Sequence, residues 1–271
     1  MIYCNLKGGL GNMLFQIAAT KSLSLDLNSD CCFPNLYPHL NYLNQEKVFQ
    51  PELNHCFEYL NIFNHFCHDR NHPDRKSITN NLPLIQYPFH YQNINHGDHV
   101  NIDGFFQSEK YFKHNRDLVL DFLNFHSLEE YVRSKYSNIL NNQITSIHVR
   151  RGDYVSNQNH HAVQSINYFQ KAIQILEKET SHYIIFSDDI NWCKLNFNMK
   201  NITFIENEKD YYEIYLMSLC KNNIISNSSF SWWGAWLNKN LDKKVVGPKK
   251  WFGPSINHNT SDIIPENWIK I

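Results

Sequence analysis

The second half of the chain carries the clearest alternation of apolar runs and polar breaks. Residues 144–149 form a short apolar run ending in Arg-Arg-Gly-Asp, which predicts a buried strand opening into a polar loop. Ser165 then stands as an N-cap ahead of Ile166, Phe169, Ile173 and Leu176, whose spacing predicts a helix. Residues 183–186 predict a second buried strand, stopped by Ser187-Asp188-Asp189, and residues 202–205 a third. A helix over 211–220, with Tyr212, Tyr215, Leu216 and Leu219 on one side, leads to a strand at 223–226, a helix at 231–238 and a strand at 244–246. Strands alternating with helices of this length imply crossover connections and a parallel sheet, a Rossmann-like domain.

The first half opens in the same way. Residues 2–6 predict a strand, Gly8-Gly9-Leu10-Gly11-Asn12 a glycine-rich turn, and residues 14–25 a helix. The stretch 28–99 reads as loop, dense in Asn, His, Pro and aromatics, and 100–102 as a strand. Ser127-Leu128-Glu129-Glu130 has the form of a capping box opening a helix to about residue 140, followed by a hinge at Asn141-Asn142-Gln143. At 271 residues the chain has the length of two domains. The expected architecture is two α/β units, residues 1–141 and 142–271.

Composition narrows the function classes. Twenty-five Lys and Arg against 26 Asp and Glu leave a formal charge of −1, which gives no electrostatic footprint for nucleic acid and leaves a small anionic ligand open. Seven cysteines with no C-x-x-C pair form no disulfide framework, so reduced thiols and an intracellular setting are expected. No charged-then-apolar leader opens the chain, and its apolar runs are far shorter than a membrane span. The 36 asparagines lower the mean hydropathy to −0.51 without adding charge. Either a biased genome or a sugar-binding surface accounts for them. His55, Cys56, His65, Cys67, His68 and His72 crowd one stretch but match no zinc-ligand spacing, so no metal is expected.

The chemistry concentrates at the ends of predicted strands. In His148-Val149-Arg150-Arg151-Gly152-Asp153-Tyr154 a buried strand delivers two guanidiniums to its carboxyl end, where ligands bind in open α/β sheets. The planar fork of arginine suits phosphate oxygens. Alternation sends His148 and Arg150 to one face and Arg151 to the other, and Asp153 is an available salt-bridge partner. At the next strand end, Asp188 or Asp189 can accept from a ribose hydroxyl or a guanine edge, or cap the following helix. Asn227-Ser228-Ser229-Phe230-Ser231 leads into a helix whose N-terminal amides form an anion site. Trp232, Trp233 and Trp236 read first as core and second as a sugar platform. Lys243, Lys244, Lys249 and Lys250 read first as a solvated face and second as a contact to a membrane surface.

Five segments in order resemble the bacterial α-1,2-fucosyltransferases of glycosyltransferase family 11. They are Gly-Gly-Leu-Gly-Asn at 8–12, Gln-Ser-Glu-Lys-Tyr-Phe at 107–112, His-Val-Arg-Arg-Gly-Asp-Tyr at 148–154, Phe-Ser-Asp-Asp at 186–189, and Asn-Ser-Ser-Phe-Ser-Trp-Trp-Gly-Ala-Trp-Leu-Asn at 227–238. The resemblance implies a GT-B-like fold, two Rossmann-like domains facing across a cleft. It implies inverting, metal-independent transfer of L-fucose from GDP-β-L-fucose to O2 of a terminal galactose, with no cofactor beyond the GDP-sugar donor. By the same resemblance Arg150 meets the donor β-phosphate, and His148 and Asp188 sit near the nucleoside. Ser228, Ser229 and Phe230 lie near the diphosphate or fucose, with Gly11 and Asn12 beside the reacting centre. Met13 and Leu14 replace the Gln and Met common in the family, which removes a polar group after Asn12.

Three functions follow as expectations. The first is a fucosyltransferase acting on a galactose-terminated oligosaccharide or lipid-linked glycan of a surface polysaccharide, in the cytoplasm or at the inner face of the membrane. The second is the same chemistry with another GDP-deoxyhexose such as GDP-colitose. The third is a non-catalytic glycan-binding protein using the tryptophan-rich segment. Arg151 is a second phosphate candidate, and Asp153 is a nearby candidate for the acceptor proton that can equally be the arginines' salt-bridge partner.

Overall fold

The computed structural model describes residues 1–34, 82–140 and 143–271. The histidine- and cysteine-rich stretch 55–72 and the expected hinge residues Asn141 and Asn142 lie outside these described residues. By contacts the chain divides into two compact units, Met1–Ser127 and Leu128–Ile271.

In the first unit, β1 (Ile2–Tyr3) runs into α1 (Leu10–Asp26), followed by β2 (Cys31–Cys32), β3 (Leu84–Gln86), β4 (Val100–Asp103) and α2 (Arg116–Leu123). All four strands are parallel, in the order β2-β1-β4-β3. Strand β1 is shorter than the apolar pattern suggests, and α1 begins earlier. Gly9 is its N-cap, so Leu10, Gly11 and Asn12 are already helical rather than loop. Leu14, Phe15, Ile17 and Ala18 of α1 are fully or almost fully buried, each large side chain contributing about 1.5–3 kcal/mol of burial.

The second unit begins with α3 (Glu129–Lys135), then β5 (Ile144–Val149), α4 (Gly152–Ser156), α5 (Ile166–Leu176), β6 (His182–Ser187), α6 (Ile190–Asn196) and β7 (Ile202–Phe204). The chain continues through α7 (Asp210–Ser218), β8 (Asn222–Ile224), α8 (Ser229–Leu237), β9 (Val245–Gly247) and β10 (Ile269–Lys270). The six strands are all parallel in the order β10-β9-β8-β5-β6-β7. That is the doubly wound Rossmann order, with the direction of winding switching between β5 and β8. Strand alternation sorts the core. Ile147 and Val149 join Phe169, Ala172, Leu176 and Ile185 in one apolar cluster. Ser146 and His148 face the opposite layer, where Ser146 Oγ accepts from Asn223 Nδ2 at 2.7 Å and the His148 ring lies 5.3 Å from that of Phe230.

Helix α3 belongs to this second unit, ahead of the hinge expected at residue 142. Tyr131 stacks on Tyr212 at 4.0 Å, and Lys135 and Tyr136 both bond Glu208, at 2.6 and 2.7 Å. The expected capping box does not form. Ser127 lies inside a 3-10 turn, its hydroxyl donating to the Asn124 carbonyl, and Leu128 takes the N-cap position without a side-chain bond. Cys4, Cys31, Cys193 and Cys220 are free and buried. Cys32 is disulfide-bonded, against the expectation of reduced thiols throughout.

Candidate functional site

The winding switch between β5 and β8 leaves their carboxyl ends splayed, and one hydroxyl ties them together. Ser226 Oγ donates to the His148 carbonyl at 2.7 Å and accepts the Arg150 main-chain N–H at 3.1 Å. Asn227 then fixes the surrounding loops. Its Nδ2 donates to the carbonyls of Ala162 and Trp251, at 2.8 and 2.7 Å, and its Oδ1 accepts from Gln164 Nε2 at 3.0 Å. With the backbone so held, Ser228 caps α8, and Ser229 and Phe230 form its first turn, facing the end of β5 through the Phe230–His148 contact.

Arg150 is the half-exposed cation of this arrangement. Its Nη1 meets Asp188 Oδ2 at 3.0 Å and its Nη2 meets Asp153 Oδ1 at 2.7 Å, while the guanidinium lies 5.2 Å from the centre of the Tyr154 ring. Arg151 points elsewhere, as alternation predicts. Its Nε bonds Asp189 Oδ2 at 3.0 Å and its guanidinium stacks 4.1 Å from the Trp192 ring. Asp189 also caps α6, accepting the Trp192 N–H at 3.2 Å. The Arg151–Asp189 pair thus braces the start of α6, and Asp188 serves the end of β5: its Oδ1 accepts the Arg151 main-chain N–H at 2.8 Å.

His148 is buried, and its Nδ1 has no hydrogen-bond partner. Burial, and then the Arg150 charge, hold the ring down to about 3, so it is neutral at physiological pH. A buried polar atom left unpaired is destabilising by about 1–3 kcal/mol.

Sequence reasoning missed three neighbours. Tyr154 donates from its hydroxyl to the Asn227 carbonyl at 3.3 Å and stacks on His161 at 4.1 Å, and burial raises its phenol to about 12. His161 feels the charges of Asp153 and Arg150, and burial lowers its pKa. Glu213, on α7, is pushed up to about 8 by burial, with Asp210, Glu208 and Asp188 adding repulsion. Tyr154 was legible as part of the arginine motif. The other two carry no local pattern.

In the first unit, Asn12 Oδ1 accepts from Gln107 Nε2 at 2.6 Å, which joins the first two of the five segments. Gly8 has φ +82°, and a Cβ there would lie 2.6 Å from Asn12 Nδ2, so glycine permits both the turn and the position of this amide. Gly11 lies one residue before Asn12 in the same helical turn and is buried.

Other expectations resolve by burial and pairing. Trp232, Trp233 and Trp236 are buried, with Trp232 Nε1 donating to the Ile263 carbonyl at 2.7 Å, so they are core and not an exposed sugar platform. Two of the four lysines are engaged by neighbours. Lys243 Nζ donates to the carbonyls of Ala235 and Asn238 at the end of α8, Lys244 pairs with Glu179, and Lys249 and Lys250 follow β9. Among the described residues, no helix is long and apolar enough to cross a membrane, and no three His, Cys, Asp or Glu side chains are grouped to hold a metal ion.

Residues 4–271 match the model of glycosyl transferase family 11. The O-antigen biosynthesis glycosyltransferase WbnK of Escherichia coli is 31% identical, covering all of both chains. An α-1,2-colitosyltransferase of Escherichia coli is 30% identical, over all of this chain and 99% of its own. A solved structure of POFUT1 in complex with GDP shares 12% identity at a TM-score of 0.48, covering 91% of this chain and 97% of that one.

Proposed function

We propose, for a chain that belongs to glycosyl transferase family 11 by a match over residues 4–271, that it moves L-fucose with inversion from GDP-β-L-fucose to O2 of a terminal galactose in a surface glycan. The observation that carries the donor assignment is the hydroxyl bridge from Ser226 to the main chain of Arg150, which fixes a cation at the β5–β8 switch beside the first turn of α8. As the bond from C1 of fucose to the β-phosphate oxygen lengthens, charge grows on the leaving diphosphate. The Arg150 guanidinium and the amides and hydroxyls of Ser228 and Ser229 are assigned to stabilise it, so no metal is required. His148, neutral and unpaired at Nδ1, and Asp188 are assigned to the nucleoside side, and Phe230 to the wall beside them.

The acceptor hydroxyl attacks C1 from the opposite face and loses its proton to a carboxylate, for which Asp153 is proposed. Asn12, oriented by Gln107, is proposed as a sugar-binding residue of the first unit. Acceptors in this reading are galactose-terminated oligosaccharides or lipid-linked glycans.

One observation favours a second donor. The relative that is 30% identical over the whole chain is named as a colitosyltransferase, so GDP-colitose is the alternative, with the same diphosphate chemistry. The test is a screen of purified protein, in EDTA, against both donors and a panel of galactosides, with the product linkage read by NMR. An α-1,2-fucosylated galactoside is expected. Transfer of colitose alone would replace the donor, and dependence on added metal would overturn the metal-free reading.

A further inference from the structure

Arg150 sits between two carboxylates of unequal standing. Asp188 is fixed at both oxygens, Oδ1 by the Arg151 main-chain N–H at 2.8 Å and Oδ2 by the Arg150 guanidinium at 3.0 Å. It also occupies the space above Gly152, where a Cβ would lie 2.5 Å from Oδ2. Asp153 stands on the outer side of the first turn of α4, its side chain 63% exposed and bonded to Arg150 at 2.7 Å.

A guanidinium offers its donors in a planar fork, and a phosphate takes two of them together. Both terminal nitrogens of Arg150 already face carboxylate oxygen. An incoming diphosphate that takes the fork formed by these two nitrogens displaces one carboxylate. Asp188 would abandon a main-chain N–H as well as the guanidinium, whereas Asp153 returns to water with little loss. The ring of Tyr154 below the guanidinium, itself backed by His161, leaves that face closed to a third approach.

We propose that Asp153 is a displaceable stand-in for the donor phosphate on Arg150, and that Asp188 is the positioning residue that holds the guanidinium through the exchange. The proposal rests on the reading of Arg150 as a diphosphate ligand. It makes donor binding an exchange of anions, which leaves the Asp153 carboxylate unpaired only once the donor is seated.

The test is titration calorimetry of GDP and of GMP, which lacks the β-phosphate, into the full chain and its Asp153→Asn, Asp153→Ala, Asp188→Asn and Arg150→Ala variants. Removing the Asp153 charge should tighten GDP by about two- to fivefold, the worth of an exposed ion pair, and leave GMP unmoved. Asp188→Asn should weaken GDP more than GMP, because a nucleoside contact of Asp188 is common to both ligands while its hold on Arg150 acts only on the β-phosphate, and a merely structural role would not produce that difference. GDP affinity unchanged or weakened in both Asp153 variants overturns the exchange, as does tightening in Asp188→Asn. Arg150→Ala keeps the two readings apart. Its loss of GDP leaves the diphosphate assignment standing whatever Asp153 does, and GDP binding unaltered by that variant would overturn the assignment itself.

Discussion

Gly152 opens α4 directly against Asp188, and its missing side chain sets the position of that carboxylate. A Cβ added there would lie 2.5 Å from Oδ2 and 3.1 Å from Cγ. To reach ordinary van der Waals separation the carboxylate must retreat by about 1 Å, which stretches the 3.0 Å contact to Arg150 past bonding range. Gly152→Ala should thus leave the guanidinium proposed to bind the diphosphate held on one side only. The lost charged hydrogen bond, at the low end of its usual worth of about 1.5–3 kcal/mol, predicts GDP binding weaker by about tenfold.

The fold should not suffer. Gly152 is exposed and helical, where alanine is favoured over glycine by up to about 1 kcal/mol. Thermal melting and GDP titration on the same preparation therefore move in opposite directions or one not at all. The expected pattern is a melting temperature equal to or above the parent with GDP affinity reduced. Parent-like GDP affinity at full stability would show that Asp188 does not position Arg150.

Two further outcomes concern the layer behind the site. Gly234 lets α7 and α8 approach, since a Cβ would lie 2.7 Å from Met217 Cβ and 2.8 Å from its Sδ; Gly234→Ala should cost about 1–3 kcal/mol by urea unfolding, and an unchanged midpoint would refute the close packing. His148 titrates near 3 folded against an ordinary 6.5, so the unfolded chain binds the extra proton and stability falls as pH drops through that window, by at most about 1.4 kcal/mol per pH unit. His148→Asn removes this dependence, and urea midpoints between pH 7 and 5 that fall equally in both proteins would argue against a neutral buried ring.

How much of this was legible depends on how local each cause is. Strand β5 has the bounds predicted for it, because all six of its residues are buried, Thr145, Ser146 and His148 included, and the polar loop begins immediately after Val149. The edge strand β10 and the short β2 and β3 were missed, being two or three residues held by their neighbours rather than by their own pattern. The capping box failed because Asn124, at φ 50°, ends α2 and turns the Ser127 hydroxyl back on its carbonyl. In the site, the five segments identified the family, and the match over residues 4–271 bears that out. Arg150, Asp188 and Ser228 were visible because they stand at strand ends or just beyond them. The partners of Arg151 were not, since its guanidinium meets Trp192 and Asp189, far along the chain. The raised carboxyl of Glu213 was equally silent, because its environment is made by tertiary packing.

The central claim, that a guanidinium fixed at the β5–β8 switch stabilises the leaving diphosphate, is tested most directly by the turnover of Arg150→Ala at saturating GDP-fucose and galactoside. Loss of one preorganised donor to developing charge predicts a fall in kcat of about 10²–10³-fold with the fold intact by thermal melting. Turnover equal to the parent would contradict it.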